Sequence, residues 1–226
     1  EDLEYLDCSY NSLTSIDISN NEILGSLHCN NNLLDSIDIS NNLDLNALHC
    51  EGNQLYDLDI VQNTSLLSLH ASHNNLSTIN LSQNTDLSQL YINHNQLDSI
   101  DLSQNNSLGV IHISNNQISS LDLSLNFNLY YLDCSSNQLS ELDIRNGNNT
   151  NMINNYFYTD NNINLFCINV DDSIYSSNSW SNIDVQSFFS NDCDLIVPGC
   201  TDTNAINYNV YANSNDGSCL YSGCTD

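Results

Sequence analysis

The sequence predicts a mainly β solenoid, with parallel strands stacked coil on coil and two short strands in each 21-residue coil. Three observations carry this. Leu6, Leu27, Leu48, Leu69, Leu90, Ile111 and Leu132 fall 21 residues apart, and so do Asn11, Asn32, Asn53, Asn74, Asn95, Asn116 and Asn137. Further series run from Leu13 to Leu139 and from Leu24 to Leu129, so seven repeats cover residues 3 to 149 without a slip. A fixed period of this length marks a stack of supersecondary units that bury one continuous core. Each repeat also divides into two similar halves, Leu3-x-x-Leu6-x-Cys8-x-x-Asn11 and Leu13-x-x-Ile16-Asp17-Ile18-Ser19-x-Asn21. Apolar residues at alternate positions, 6 and 8 and then 16 and 18, mark the two strands. The Asn closing each half suits a tight inward turn. Its amide can bond backbone groups that the coil leaves unpaired, and stacked copies can bond each other.

Residues 1–149 are therefore read as seven coils. After Ile144 the register breaks at Arg145-Asn146-Gly147-Asn148-Asn149-Thr150. In a degenerate eighth coil, Ile153, Tyr156, Tyr158 and Asn161 repeat Leu129, Leu132, Cys134 and Asn137 at a spacing of 24, which implies three extra residues in a loop. Leu165, Ile168 and Val170 form a last strand. With Trp180, Phe188 and Phe189 behind it, residues 150–196 make a C-terminal cap, because a solenoid end needs a cover. Glu1 starts directly in a repeat, so the chain is expected to be part of something longer. Residues 197–199 read as a linker and 200–221 as a small module. In 222–226, Gly223-Cys224-Thr225-Asp226 repeats Gly199-Cys200-Thr201-Asp202 and opens a second module.

These residues resemble the leucine-rich repeats, through the signature L-x-x-L-x-L-x-x-N-x-L, and the nested pattern is similar to the bacterial 21-residue class called IRREKO. The resemblance implies a curved solenoid with parallel strands on its concave side and a role as a recognition scaffold, although fold alone does not establish function. The tail, from Gly199-Cys-Thr-Asp to Asp216-Gly-Ser-Cys219, resembles a tandem module of secreted Bacteroidetes proteins, with Asn215 where that pattern has Asp.

Charge excludes several functions. Against 28 acidic residues the chain has one Lys or Arg, Arg145, for a formal charge of −27. Such a surface cannot neutralise phosphates, which argues against nucleic acid and anionic membranes as partners. No apolar run approaches the roughly 18 residues of a spanning helix, so membrane insertion is not expected. Nor is there a G-x-S-x-G, an H-E-x-x-H or a phosphate-cradling loop. Abundant Asp, Ser and His follow the repeat, so no catalysis is expected.

The nine cysteines form two groups. Cys8, Cys29, Cys50 and Cys134 share an inward slot with Ala71, Ile92 and Ile113 and read as buried free thiols. Cys167 with Cys193, and Cys200 with Cys219, bracket the cap and the module and read as disulfides. Stapled caps point to an oxidising, extracellular or cell-surface setting.

In a stack, one repeat position becomes a row of side chains. Position 7 faces outward on the first strand, on the concave side of the solenoid, and reads Asp7, His28, His49, His70, Tyr91, His112 and Asp133; His73 and His94 form a shorter row three residues on. Three adjacent imidazoles about 5 Å apart could take zinc, copper or nickel. A parallel ladder keeps side chains side by side, however, whereas a metal needs converging nitrogens, so the rows read as a contact surface. Tyr131 and the outward track Ser9, Asn30, Glu51, Ser72, Asn93 and Ser114 flank them. Aromatics mixed with amides and imidazoles suit a protein or glycan partner. The competing function is a surface-adsorbing structural protein, ice-binding or matrix-adhesive, built on the row Ser15, Ser36, Thr78, Ser99 and Ser120. That row is interrupted by Asp57 and Glu141. An accessory domain of a larger secreted hydrolase is a further alternative. In the tail, Asp202, Asn204, Asn207, Asn209, Asn213, Asn215 and Asp216 gather hard oxygens, so the module reads either as a Ca²⁺ site or as a disulfide-held spacer without EF-hand spacing.

The second strand presents Asp17, Asp38, Asp59, Asn80, Asp101, Asp122 and Asp143. These read as consensus turn or surface residues, with specific Ca²⁺ sites as the lesser alternative. Neighbouring carboxylates about 5 Å apart repel by roughly 0.8 kcal/mol in water before screening. With no lysine to offset this, stability should depend on salt. Raising NaCl from 10 to 500 mM is expected to lift the melting temperature by on the order of 5 °C, read by scanning calorimetry.

Overall fold

The computed structural model describes residues 2–152, 154–195, 197–215 and 217–222. Ile153, Asp216 and the start of the second module at 223–226, with Cys224, lie outside the described residues. The chain is a parallel-strand solenoid. Its first sheet has eight strands: Tyr5–Asp7, Ser26–His28, Ala47–His49, Ser68–His70, Gln89–Tyr91, Val110–His112, Tyr131–Asp133 and Phe157–Tyr158. Each pairs in register with the next, Leu27 beside Leu48 and His28 beside His49. The second half of each coil forms a sheet only late in the chain, from Ser120–Asp122, Glu141–Asp143, Cys167–Asn169 and Phe188–Ser190. In the earlier coils this half alternates inward and outward residues without a strand ladder; Leu58 and Ile60, for example, are buried while Asp57 and Asp59 are exposed.

The inward positions make one apolar column. Leu27, Leu48, Leu69, Leu90, Ile111 and Leu132 have no exposed surface, nor do Leu24, Leu45, Leu66, Leu87, Leu108 and Leu129. Cys29, Cys50 and Cys134 are buried in the same column with free thiols, and Cys8 is half-buried. Burial pushes the Cys29 thiol up to about 12 and holds Cys50 and Cys134 well above their ordinary value. They pack as small apolar groups and are poor nucleophiles.

Two asparagine ladders hold the coils. In the first, Asn74 Nδ2 donates to the carbonyls of Cys50 (3.1 Å), Ala71 (3.1 Å) and Ser72 (3.3 Å), and its Oδ1 accepts from the Leu55 N–H (3.0 Å). Asn32, Asn53, Asn95, Asn116 and Asn137 do the same one coil apart. In the second, Asn63 Nδ2 donates to the carbonyls of Ile39 and Asn42 in the preceding coil. Both ladders bond to backbone, so the expected amide-to-amide bonding between stacked copies is not how they work. Between the ladders, Leu24 N–H donates to Asn21 O, and the same turn recurs at Leu45 and Leu66.

The eighth coil is offset by four residues rather than three. Phe157, not Tyr156, pairs with Leu132, and Asn162, not Asn161, takes the ladder position of Asn137. Backbone geometry explains it: Asn161 has φ 61° and sits in the left-handed turn that Ser136 makes a coil earlier, so the next residue is the one that points inward. Phe157 then fills the column and stacks on Trp180, ring centroids 4.2 Å apart, with Phe189 edge-on to the indole. Trp180 Nε1 donates to Met152 O. A short helix, Ser173–Ser179, delivers this tryptophan. The Asp172 carboxylate caps it by accepting the N–H groups of Ile174 and Tyr175. Two disulfides, Cys167–Cys193 and Cys200–Cys219, staple the cap and the tail as expected. Pro198–Gly199, read from sequence as linker, pairs in parallel with Ser214–Asn215.

Replacing Asn74 by Ala strands the buried Leu55 N–H and takes one donor from the carbonyls of Cys50, Ala71 and Ser72, each of which keeps another, and is expected to lower stability by roughly 1–3 kcal/mol in urea titration. Asn41, exposed and bonded only to Ser19 O, should tolerate Ala within about 0.5 kcal/mol.

Candidate functional site

Strand register turns position 7 into a continuous stack on the outer face of the first sheet. The rings of His28 and His49 lie parallel at 4.2 Å, His49 and His70 at 4.1 Å, and His70 and Tyr91 at 4.3 Å. Tyr5 extends the row at one end, 5.3 Å from His28 and tilted. At the other end Tyr91, His112 and Tyr131 meet edge to face at 6.0 and 6.3 Å, and Tyr131 reaches Tyr156 and Tyr158. In-register parallel strands stand about 4.8 Å apart, so like side chains stack as plates with no further design. His73 and His94 make a second stack at 4.2 Å. Both sit at φ near 55°, the left-handed turn position that Tyr10, Asn31, Gly52, Asn115 and Ser136 hold in other coils. The backbone kink therefore lifts these two rings from the same edge of the sheet as the main row.

Both acids of the row are turn residues as well as surface. Asp7 Oδ1 accepts the N–H and hydroxyl of Ser9, which hold its carboxyl below the usual range. Asp133 does likewise with Ser135 and also meets His112 Nε2 at 2.8 Å. Burial alone would raise Asp133, but the bonds from His112 and Ser135 outweigh it and its carboxyl stays low. The second-strand aspartates are used the same way. Asp17, Asp38, Asp101 and Asp122 each accept the N–H two residues on, and Asp143 accepts from Arg145. That geometry accounts for the Asp row as turn chemistry. In the hydroxyl row, Ser36 and Ser99 donate to their neighbours Asp35 and Asp98.

The tail oxygens are likewise committed. Asp202 accepts from Asn204 and from the Tyr221 hydroxyl; Asn207, Asn209, Asn213 and Asn215 accept the N–H groups of Leu220, Tyr211, Val197 and Gly217. These bonds staple the module's loops.

Glu51 is the residue whose role was least legible. It stands two positions after His49 and so on the same face. One of its carboxylate oxygens is buried without a hydrogen-bond partner, and burial raises its pKa. The imidazoles beside it are shifted the other way. Burial, with His49 and His28 adding repulsion, lowers His70 to about 4, and burial also lowers His49. The His49 and His70 rings at the centre of the face are thus harder to protonate than a free imidazole, in an otherwise acidic protein.

No family model and no curated protein matches the chain. Solved structures do, as leucine-rich-repeat solenoids. A functional domain of the internalin InlJ from Listeria monocytogenes, described as including a cysteine ladder, is similar at 23% identity and TM-score 0.53, over 87% of this chain and 58% of that one. A leucine-rich-repeat protein of Leptospira interrogans aligns at 19% identity and TM-score 0.62, over 83% and 54%. Internalin C2 of L. monocytogenes aligns at 21% and 0.61, over 83% and 80%. The fold is that of the leucine-rich-repeat solenoids. The chain spans a little over half the length of the first two.

Unfolded, His70 takes up its proton near the ordinary 6.5; folded, only near 4. Protons therefore favour the unfolded state between these values. The contribution of the neutral ring is complete above about pH 6.5, declines down to about pH 4 and changes no further below that. Half-exposure screens the effect, and Glu51, raised from 4.5, opposes it at the lower end of the window. A His70→Asn variant is expected to lose stability less steeply than the parent from pH 6.5 to 4, followed by urea midpoints at each pH.

Proposed function

We propose that this chain is a non-enzymatic recognition module that binds a protein or glycan through the outer face of its first sheet, in an extracellular or cell-surface setting. The observation that carries the reading is the unbroken ring stack from Tyr5 through Tyr91 to Tyr158, half-exposed along most of its length. Flat rings already ordered by their neighbours lose little entropy on binding, and they combine apolar area with hydrogen-bonding edges. Sugar faces and aromatic or aliphatic side chains are the groups such a strip complements. Asp7 and Asp133 on the same row supply polar edges that orient a ligand.

The solenoid fold supports this use because it turns one residue per coil into an extended array while the core stays apolar. Two disulfides favour an oxidising compartment, and among the described residues no helix is long and apolar enough to cross a membrane. The acidic surface disfavours nucleic acid and anionic lipid. The serine and aspartate pairs are occupied with each other in turns, which favours a binding role over a chemical one.

Replacing His49, His70 and Tyr91 together by Ser removes the centre of the stack and leaves the column and ladders intact. Ligands retained by the parent chain on glycan and surface-protein arrays are expected to bind this variant at least about 100-fold more weakly, the scale of losing a hot-spot cluster, with its circular dichroism spectrum unchanged. Undiminished binding would place recognition on another surface.

A further inference from the structure

We propose that His49, Glu51 and His70 form a site for one divalent transition-metal ion of the zinc class. One ring nitrogen from each histidine and one carboxylate oxygen of Glu51 all lie within 4.8 Å of one another. A stack of imidazoles alone does not make a site, because parallel rings aim their nitrogens side by side. Glu51 changes the geometry. It reaches the pair from the adjacent track of the same strand face, which is buried at Asn30 and Ser72 on either side, and adds a donor that does not belong to the ring stack.

The carboxylate is also the group that lacks something. One Glu51 oxygen is buried without a hydrogen-bond partner. Its neighbours along the track do not supply one: Ser72 donates instead to Asn93 in the next coil. In the other regular coils the track holds Ser9, Asn30, Ser114 and Ser135, so Glu51 is the one acid among them; Asp160 follows in the offset eighth coil. A buried, unpaired carboxylate oxygen is costly unless a cation or donor meets it. Two imidazoles and a carboxylate form the two-His-one-Glu set that holds zinc with a coordination position left open. Copper and nickel suit the same donors, copper more tightly by the general order of affinities. Tetrahedral ligands about 2.1 Å from a metal stand roughly 3.4 Å apart, so the half-exposed side chains need to close by at most about 1.4 Å. The open position faces outward, toward water or a donor from a bound partner. Metal binding is measurable without any partner, so the inference stands apart from the recognition reading.

The test uses the untagged chain, stripped by chelator and titrated with Zn²⁺ by calorimetry in a large excess of Mg²⁺, which occupies the acidic rows. Co²⁺ is titrated in parallel for the visible band of a low-coordinate site. One Zn²⁺ per chain is expected. Glu51→Gln, which keeps the side chain's shape, and His70→Asn should each weaken it about 10- to 100-fold, while His112→Asn leaves it unchanged. Melting curves without metal establish that each variant is folded, and Glu51→Gln carries the test if His70→Asn is not. Absence of binding by the parent overturns the site. So does binding that survives both substitutions, or that falls equally with His112→Asn.

Discussion

Every coil of this solenoid buries backbone amides and carbonyls that no neighbouring strand can pair, and the structure depends on how they are satisfied. Two turns per coil bring peptide groups to the edge of an apolar column, where water is excluded and an orphaned N–H or C=O costs about as much as a lost hydrogen bond. One asparagine per turn resolves this, because its amide carries donors and an acceptor on a short side chain. Asn74 alone ties three carbonyls and one N–H across adjacent coils. Leucines supply the cohesive energy of the column, but the asparagines set its pitch and register. The second ladder is less complete: the Oδ1 atoms of Asn42, Asn63, Asn84, Asn105 and Asn126 are buried without partners.

Once the register is set, the surface follows. A 21-residue period places chemically similar groups side by side, with both favourable and unfavourable results. His49 and His70 stack at 4.1 Å, and burial, with repulsion from neighbouring imidazoles, makes both harder to protonate. Carboxylates repel, and the sequence answers by following most of the second-strand aspartates with a serine two residues on. The resulting turns direct N–H groups at the charge. The one guanidinium, Arg145, lies where the repeat breaks and pairs with Asp143.

The cap shows how a stack ends. A tryptophan delivered by a capped single helix lies on Phe157 and covers the last layer of the column. The Cys167–Cys193 bridge holds the following strand to the tail. Beyond it, asparagines that resemble metal ligands in sequence serve the same purpose as those in the coils, accepting backbone N–H groups that loops leave free.

Much of this was legible in the chain itself. Period, first-strand positions, inward asparagines, buried thiols and both disulfide pairs are local or strictly repeated properties, and repetition multiplies a weak signal seven times. Where the repeat degenerates, the signal fails. A spacing of 24 and a spacing of 25 both place an aromatic and an asparagine plausibly, and only the left-handed backbone at Asn161 decides that Phe157 and Asn162 face inward. Glu51 was invisible for a related reason, since a single departure in a polar track looks like surface variation. Its meaning depends on the distance to two rings, one of them in another coil. The sequence by itself determined the period, the apolar column and the rows it projects, because these follow from side-chain alternation along one strand. Tertiary structure alone decided which polar groups find partners, because hydrogen bonds are settled by ångström-scale placement between coils.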